Sequence, residues 1–407
     1  MATPATFDIF SRMLAGSSKE RNYVRLRTAG QKFFGRPGNG FTAFSRDANA
    51  LDIEIVRSNQ KLAPLMPRGM VGRFIGSLHQ DVQFDQGTMF SRKYPFIEET
   101  ANIGADQINY RVIGDEAPYE NLTDADRLRI LGQRAYIELS NRVFRTQEFL
   151  AWQALTLGIQ SVQSLSDTTV NIYDYRRASA NTVTPTHGWG NALGVPLTDI
   201  DSLCDQLLFI GQEIPTFMVW GGTTMKYFLN NSQVTTAYAN KLYFELLRFE
   251  LGQGALAAEF APFVEAGLIP FGQIKTPKGY SFTIFTYPYM YDSSTTATKT
   301  AAKYFGDTLC LMGSTTARCD RYFGPNETMP MGPSEGADIM AAFGFNPATP
   351  PITQNVEGSG TLLPQMVYSD AYRSPDRKHW TVRVQGAPVF VPVQTDAWGT
   401  MTVGTTS

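Results

Sequence analysis

The stretch from Thr123 to Leu157 constrains this chain more than any other. Leu128, Leu131, Ala135, Leu139, Val143, Leu150, Ala154 and Leu157 recur at steps of three and four, and Thr146 fills the one polar gap. That spacing predicts a single helix over 123–157. Thr123 is placed to cap it, and Asp126 three residues on completes a capping-box spacing. Asp124 and Asp126 lie in the first turn, where carboxylates favour the positive end of the helix dipole. Gly158 follows the last periodic residue and predicts the stop. About 35 residues at 1.5 Å each span roughly 50 Å. A helix that long is a spine rather than one member of a small bundle. Its other face carries Arg127, Arg129, Arg134, Glu138, Arg142, Arg145 and Glu148, and is either solvated or turned toward neighbouring subunits.

A chain of 407 residues can bury a large core and divide into two or three domains. Its formal charge of −2 gives no strong overall attraction to nucleic acid or acidic membranes. Cys204, Cys310 and Cys319 are too few for a disulfide framework and fit a reducing compartment. The N-terminus lacks a basic segment followed by an apolar run, so it is not read as a secretory signal. No apolar run approaches the length of a membrane span.

Residues 1 to about 66 read as an extended N-terminal arm. Residues 1–50 hold eight Lys/Arg against three acids. Arg21, Arg25, Arg27, Lys32 and Arg36 are therefore candidate arm contacts, either with acidic surfaces of neighbours or with DNA phosphates. Phe33, Phe34, Phe41 and Phe44 predict that the arm docks somewhere. Residues 67–112 alternate in a β-like way and predict a long polar hairpin turning at Asp85-Gln86-Gly87. It has too few apolar residues for a core of its own and needs an outside surface to lie on.

Past the spine, strands are expected at 170–173, 215–220, 280–287 and 308–312. Helices are expected at 199–210, after Gly221-Gly222, and near 234–251 and 255–266. Residues 324–365 read mostly as loop. The close, HWTVRVQGAPVFVPVQTDAW, predicts a terminal pair of strands turning at Gly386-Ala387.

No catalytic constellation emerges. His79, His187 and His379 lie far apart, with no second ligand at metal spacing. Gly252-Gln253-Gly254-Ala255-Leu256-Ala257 mimics a dinucleotide fingerprint but follows a helical run instead of a strand. No cofactor is expected and the chain does not read as an enzyme.

Taken in order, the arm, polar hairpin, spine helix, α/β region and returning strands resemble a known family. The strand INYRVIGDEAP, HGWG with PLTDID, PTFMVWGGTTMKYFL, DTLCLMGSTTARCDRYFG and the closing strands carry the resemblance over about 50–407. It is to the Hong Kong 97-type major capsid proteins of tailed phages, in the lambda-like capsid protein E branch. The resemblance implies an α+β fold with an N-arm at about 1–66 and an E-loop at 67–112. It places a P-domain at 113–194 and 352–407, and an A-domain at 195–351. It implies hexamers and pentamers forming an icosahedral virion capsid around non-specifically contacted double-stranded DNA, after synthesis in the host cytoplasm. The partners implied are a separate scaffolding protein, a portal and a decoration protein, with no membrane. Arg92, Lys93, Glu98 and Glu99 on the E-loop, with Arg127, Arg134 and Arg142 on the spine, become candidate subunit contacts. A nucleic-acid-binding protein using the arm, and a cellular encapsulin-like compartment, are the alternatives.

Overall fold

The computed structural model describes residues 28–36, 39–44, 51–57, 86–92, 97–104, 106, 124–163, 170–239, 260–293, 299–324, 367–373 and 379–404. The spine helix α1 runs from Asp124 to Leu157. It ends where the sequence places its stop. Gly158 takes the left-handed conformation at φ 67°, and its N–H bonds the Ala154 carbonyl at 3.1 Å. A Cβ at Gly158 would also sit 2.9 Å from the Arg177 side chain. Gly158→Ala should therefore lower stability by about 1–2 kcal/mol in urea unfolding. An unchanged midpoint would mean that the cap does not limit the helix.

The chain-order strands before and just after the spine are β1 (Thr42–Phe44), β2 (Leu51–Arg57), β3 (Gln86–Arg92), β4 (Ile97–Gly104), β5 (Ile159–Gln163), β6 (Val170–Asp174) and β7 (Thr182–Val183). Helix α2 (Pro196–Gln206) runs into a π-turn at Leu207–Gly211, then comes β8 (Phe217–Trp220). Helices α3 (Gly222–Asn230), α4 (Ser232–Ala239) and α5 (Ala261–Ala266) follow. The remaining strands are β9 (Ile269–Lys275), β10 (Ser281–Thr286), β11 (Met290–Asp292), β12 (Ala301–Lys303), β13 (Leu309–Gly313), β14 (Asp320–Phe323), β15 (Tyr368–Arg373), β16 (His379–Gly386), β17 (Pro388–Val391) and β18 (Gly399–Thr402).

A six-stranded mixed sheet is ordered β7-β18-β13-β8-β10-β9, and its inner strands β8 and β13 are covered on both faces. Its central strand reads Phe217-Met218-Val219-Trp220 without a polar residue, as a doubly covered strand must. The two-residue side-chain period sorts its residues. Phe217, Val219, Phe285 and Leu311 enter one core with the C-terminal half of the spine. Met218, Trp220, Phe282, Ile284, Cys310 and Met312 enter a second core under α2 and α3. A separate antiparallel sheet, β15-β16-β4, packs on the spine's N-terminal half through Ile103, Leu139, Val143, Val382 and Val384. One helix therefore bridges two cores.

Three expectations need correction. Gln86 and Gly87 are not in a turn; they pair with Arg57 and Val56 inside the β2–β3 ladder. The partner run LDIEIVR lies in the stretch read as arm, so the polar strand pairs across a long separation instead of with its immediate neighbour. The segments flanking Gly386-Ala387 do not form a hairpin. β16 pairs with β15 and β4, while β17 pairs with β14, so the chain changes sheets across Ala387. Thr146 is exposed and Leu157 is 55% exposed, so neither belongs to the helix's apolar seam. The strand expected at INYRVI and the loop expected at 324–365 lie outside the described residues, except for Gly324, which donates its N–H to the Ala387 carbonyl.

Candidate assembly surfaces

The last three turns of α1 explain why the spine sits where it does. In Gln147–Thr156, Leu150, Ala151, Trp152, Ala154 and Leu155 are all buried, and Phe149 and Gln153 are partly buried. Glu148, read from sequence as part of the polar face, is buried among them. A carboxylate enclosed among these side chains needs internal donors. It has four. Gly30 N–H (2.7 Å), Trp152 Nε1–H (2.8 Å) and Tyr287 O–H (2.9 Å) donate to Oε1, and Gln31 N–H (3.2 Å) donates to Oε2. Burial pushes this carboxyl up to about 7, against the lowering effect of those donors. Local sequence does not reveal it, since Arg145, Thr146 and Gln147 precede Glu148 and give it the look of a charged face.

Two of the donors belong to the arm, which docks on its own subunit. Ala29, Phe33 and Phe34 are buried in the main core. Gly30 is required by close approach, since a Cβ there would lie 2.8 Å from Trp152 Nε1. Farther on, Gly35 N–H bonds the Cys319 carbonyl (2.8 Å), Cys319 N–H bonds the Asn39 carbonyl (3.1 Å), and β1 adds in parallel to β14. Arg36 donates to the Thr315 carbonyl at 3.3 Å and lies 5.2 Å over the Phe263 ring. Lys32 is exposed, and Arg21, Arg25 and Arg27 lie outside the described residues.

Arg177, which carries no sequence motif, closes the far end of the spine. Its guanidinium donates to the carbonyls of Thr156 (2.9 Å), Ala154 (3.3 Å) and Leu155. The Leu155 and Thr156 carbonyls lie in the last turn, which has no further helical N–H to offer, and the Ala154 carbonyl also accepts from Gly158 N–H; all three lie at the negative end of the helix dipole. Burial lowers its pKa to about 10, with Asp396 opposing that shift.

Of the candidate subunit contacts, the structure brings Glu99 and Arg142 together. Arg142 Nη1 lies 3.5 Å from Glu99 Oε2, and its Nε 3.3 Å from Glu138 Oε1. The pair ties the spine to β4 within one subunit. Glu98 accepts a hydrogen bond from Gln385 Nε2 at 2.8 Å. Arg92 pairs with Leu51 across the β2–β3 ladder, Arg127 and Arg134 lie on the spine, and Lys93 is outside the described residues. Arg142 is about half exposed, so Arg142→Ala should cost no more than about 1 kcal/mol in urea unfolding of the unassembled chain. A loss above about 2 kcal/mol would mean that the ion pair holds the fold.

Exposed apolar side chains lie elsewhere. Ile214 is 60% exposed, and Phe209, 71% exposed, lines a depression of about 520 Å³ with Asp205, Leu208 and Gln212. Beside it Asp205 pairs with Lys278 and accepts from Tyr280 O–H at 3.0 Å; the Lys278 contact holds its carboxyl below the ordinary range. Burial raises all three cysteine thiols, which suppresses the thiolate a nucleophile needs. Among the described residues no group of His, Cys, Asp or Glu is placed to hold a metal ion, and no helix is long and apolar enough to cross a membrane.

The model of the phage major capsid protein E family matches residues 47–403, most of the chain. This chain belongs to that family. It is a phage major capsid protein with the Hong Kong 97-like fold, and the family places it in the virion capsid. A prophage capsid protein of E. coli CFT073 has the same fold at a TM-score of 0.60 and 16% identity, over 99% of this chain and 100% of that one. The capsid of cyanophage P-SCSP1u is similar at a TM-score of 0.41 and 9% identity, over 100% and 99% of the two chains. The SrpI encapsulin of Synechococcus elongatus PCC 7942 follows at 0.40 and 10%, over 100% and 98%. Among curated protein sequences, none matches the chain. The docked arm, residues 28–44, lies just before the family's matched range.

Proposed function

We propose that this capsid protein assembles as hexamers and pentamers into an icosahedral head that encloses packaged double-stranded DNA. The observation that carries the reading is the family match over 47–403, joined to a spine that bridges two cores and leaves charged and apolar surface uncovered. In this reading the N-arm covers about 1–66, the E-loop 67–112, the P-domain 113–194 and 352–407, and the A-domain 195–351. The chain folds in the host cytoplasm and meets a separate scaffolding protein, a portal and a decoration protein during assembly. It contacts DNA non-specifically, and its role is structural rather than catalytic.

The E-loop charges, Arg92, Lys93, Glu98 and Glu99, and the spine's Arg127, Arg134 and Arg142 are its candidate contacts with other copies. Exposed ion pairs contribute only about 0–1 kcal/mol each, so many weak repeated contacts suit a lattice that must correct its own errors. Arg21, Arg25, Arg27, Lys32 and Arg36 remain the arm's candidate contacts with neighbours or DNA. Docking of 28–44 on its own subunit favours a structural use of Arg36 over a phosphate contact.

Negative-stain microscopy of the protein expressed alone, then with a neighbouring scaffold gene, tests the proposal. Closed shells, tubes, or rings of five or six subunits are expected. A monodisperse small species under both conditions, even at high protein concentration, would overturn it.

A further inference from the structure

We propose that copies of this chain join head to tail through two apolar patches at opposite ends of α2, the Leu208–Phe209 patch of one copy seated on the Leu193, Val195 and Leu229 patch of the next. This contact rests on the assembly proposed for the protein and names a surface that carries it. The π-turn displays the first patch. Ile200, Leu203, Cys204 and Leu207 form the buried seam of α2. Gly211 continues that seam, since a Cβ there would lie 2.3 Å from the Asp396 carbonyl oxygen. The back of the turn is thus locked against backbone. Gln212 leaves it at φ 55°, a conformation that costs a non-glycine residue energy. Leu208 and Phe209 lie off the seam, exposed, and line the depression with Asp205 and Gln212. A widened turn that presents apolar side chains to solvent marks a functional surface more often than a packing defect.

The second patch lies at the N-terminal end of the same helix, roughly 20 Å away at 1.5 Å per residue. Leu193 is 65% exposed, and Val195 is exposed beside it. They flank Gly194, whose carbonyl accepts from the buried Asn231 Nδ2 at 3.1 Å, as does the Trp189 carbonyl. That amide ties the loop to the end of α3, which exposes Leu229. Charge decides how the patches meet. Lys278 at the first patch is paired with Asp205, and Asp199 near the second accepts from Trp189 Nε1–H at 3.0 Å. Glu213, next to Gln212, accepts from the neutral hydroxyls of Thr316 and Ser314, which leave its charge uncompensated. Lys226, exposed one turn before Leu229, forms no ion pair among the described residues. Like patches face to face would set Glu213 against Glu213, or Lys226 against Lys226, and leave the other patch bare. A head-to-tail contact buries both patches, sets opposite charges at its rim, and repeats from copy to copy until a ring closes.

Disulfide formation between full-length single-cysteine variants tests the contact. Cys204, Cys310 and Cys319 are buried, so the introduced thiols react on their own. The substituted side chains are exposed, so the fold does not depend on them. Under conditions where wild type forms rings or shells, Phe209→Cys mixed with Leu193→Cys or with Leu229→Cys should give covalent dimers on mild oxidation, and no variant should do so alone. The double variant Phe209→Cys/Leu193→Cys should give a ladder of covalent multimers. Phe209→Glu should raise the protein concentration needed for rings by about tenfold or more, because its carboxylate would be buried in an apolar contact. Covalent dimers of Phe209→Cys by itself would mean a self-facing contact. That result, no dimers in either mixture, or Phe209→Glu rings at the wild-type concentration would overturn this contact while the assembly reading stands. Phe209→Glu that assembles normally alone and fails only with the scaffold gene would assign the patch to the scaffolding protein instead. A wild type that stays monomeric under every condition overturns both.

Discussion

Phe33→Ala will destabilise this subunit by about 3–5 kcal/mol, although residue 33 lies in a stretch whose sequence reads as an arm outside the core. The ring stacks on Phe263 at 4.4 Å between centroids and on Phe217 at 5.3 Å. It meets Trp398 at 5.7 Å and Trp152 at 6.1 Å, both edge-on. Four large rigid rings cannot collapse into the space it leaves, so the cavity persists and the loss sits in the upper range for such truncations. Lost aromatic pairs add to the lost burial. Phe41→Ala supplies the contrast. That side chain is 41% exposed, packs on Tyr322 at 5.5 Å and lies under Arg318, so its truncation should cost about 1 kcal/mol or less. Urea unfolding of the unassembled chain measures both. A Phe33→Ala loss no greater than that of Phe41→Ala would show that the arm is not part of the core.

Arg177→Met should cost about 2–4 kcal/mol, because the change strips donors from the carbonyls of Ala154, Leu155 and Thr156 together. Methionine fills much of the aliphatic volume, so the loss reports the guanidinium rather than a cavity. The effect should be local as well as global. Amide exchange should rise in the last turn of α1 and in the β5–β6 hairpin behind it, where Tyr175 N–H bonds the Gly158 carbonyl at 3.0 Å. Arg177→Lys should recover only part, since one ammonium cannot reach the carbonyls as a planar fork does. A variant as stable as wild type, with unchanged protection at residues 154–157, would show that water satisfies the helix end equally well.

Phe33 tests what seats the arm against the spine, and Arg177 tests what holds the spine's C-terminus against the rest of the subunit. The spine enters both the core it shares with the six-stranded sheet and the one it shares with β4 and β16.

Elements whose causes are local were legible before any fold was known. The spine's span follows from its apolar spacing and from Gly158, the only residue type that adopts φ 67° there without strain. The strand at Phe217–Trp220 follows from an unbroken apolar run closed by Gly221. The family resemblance was equally legible, because it rests on the order of such segments. Tertiary structure alone decided which segments meet. β1 pairs in parallel with β14, whose residues are nearly three hundred positions away, and no local signal encodes such a partner. The same holds for β2 with β3, and for the switch between sheets at Ala387. Glu148 marks the boundary between the two kinds of information. Its helical phase is local and put it on the charged face. Its burial depends on the arm and on Tyr287 arriving from distant parts of the chain, and only those partners make a charged residue stable inside the core.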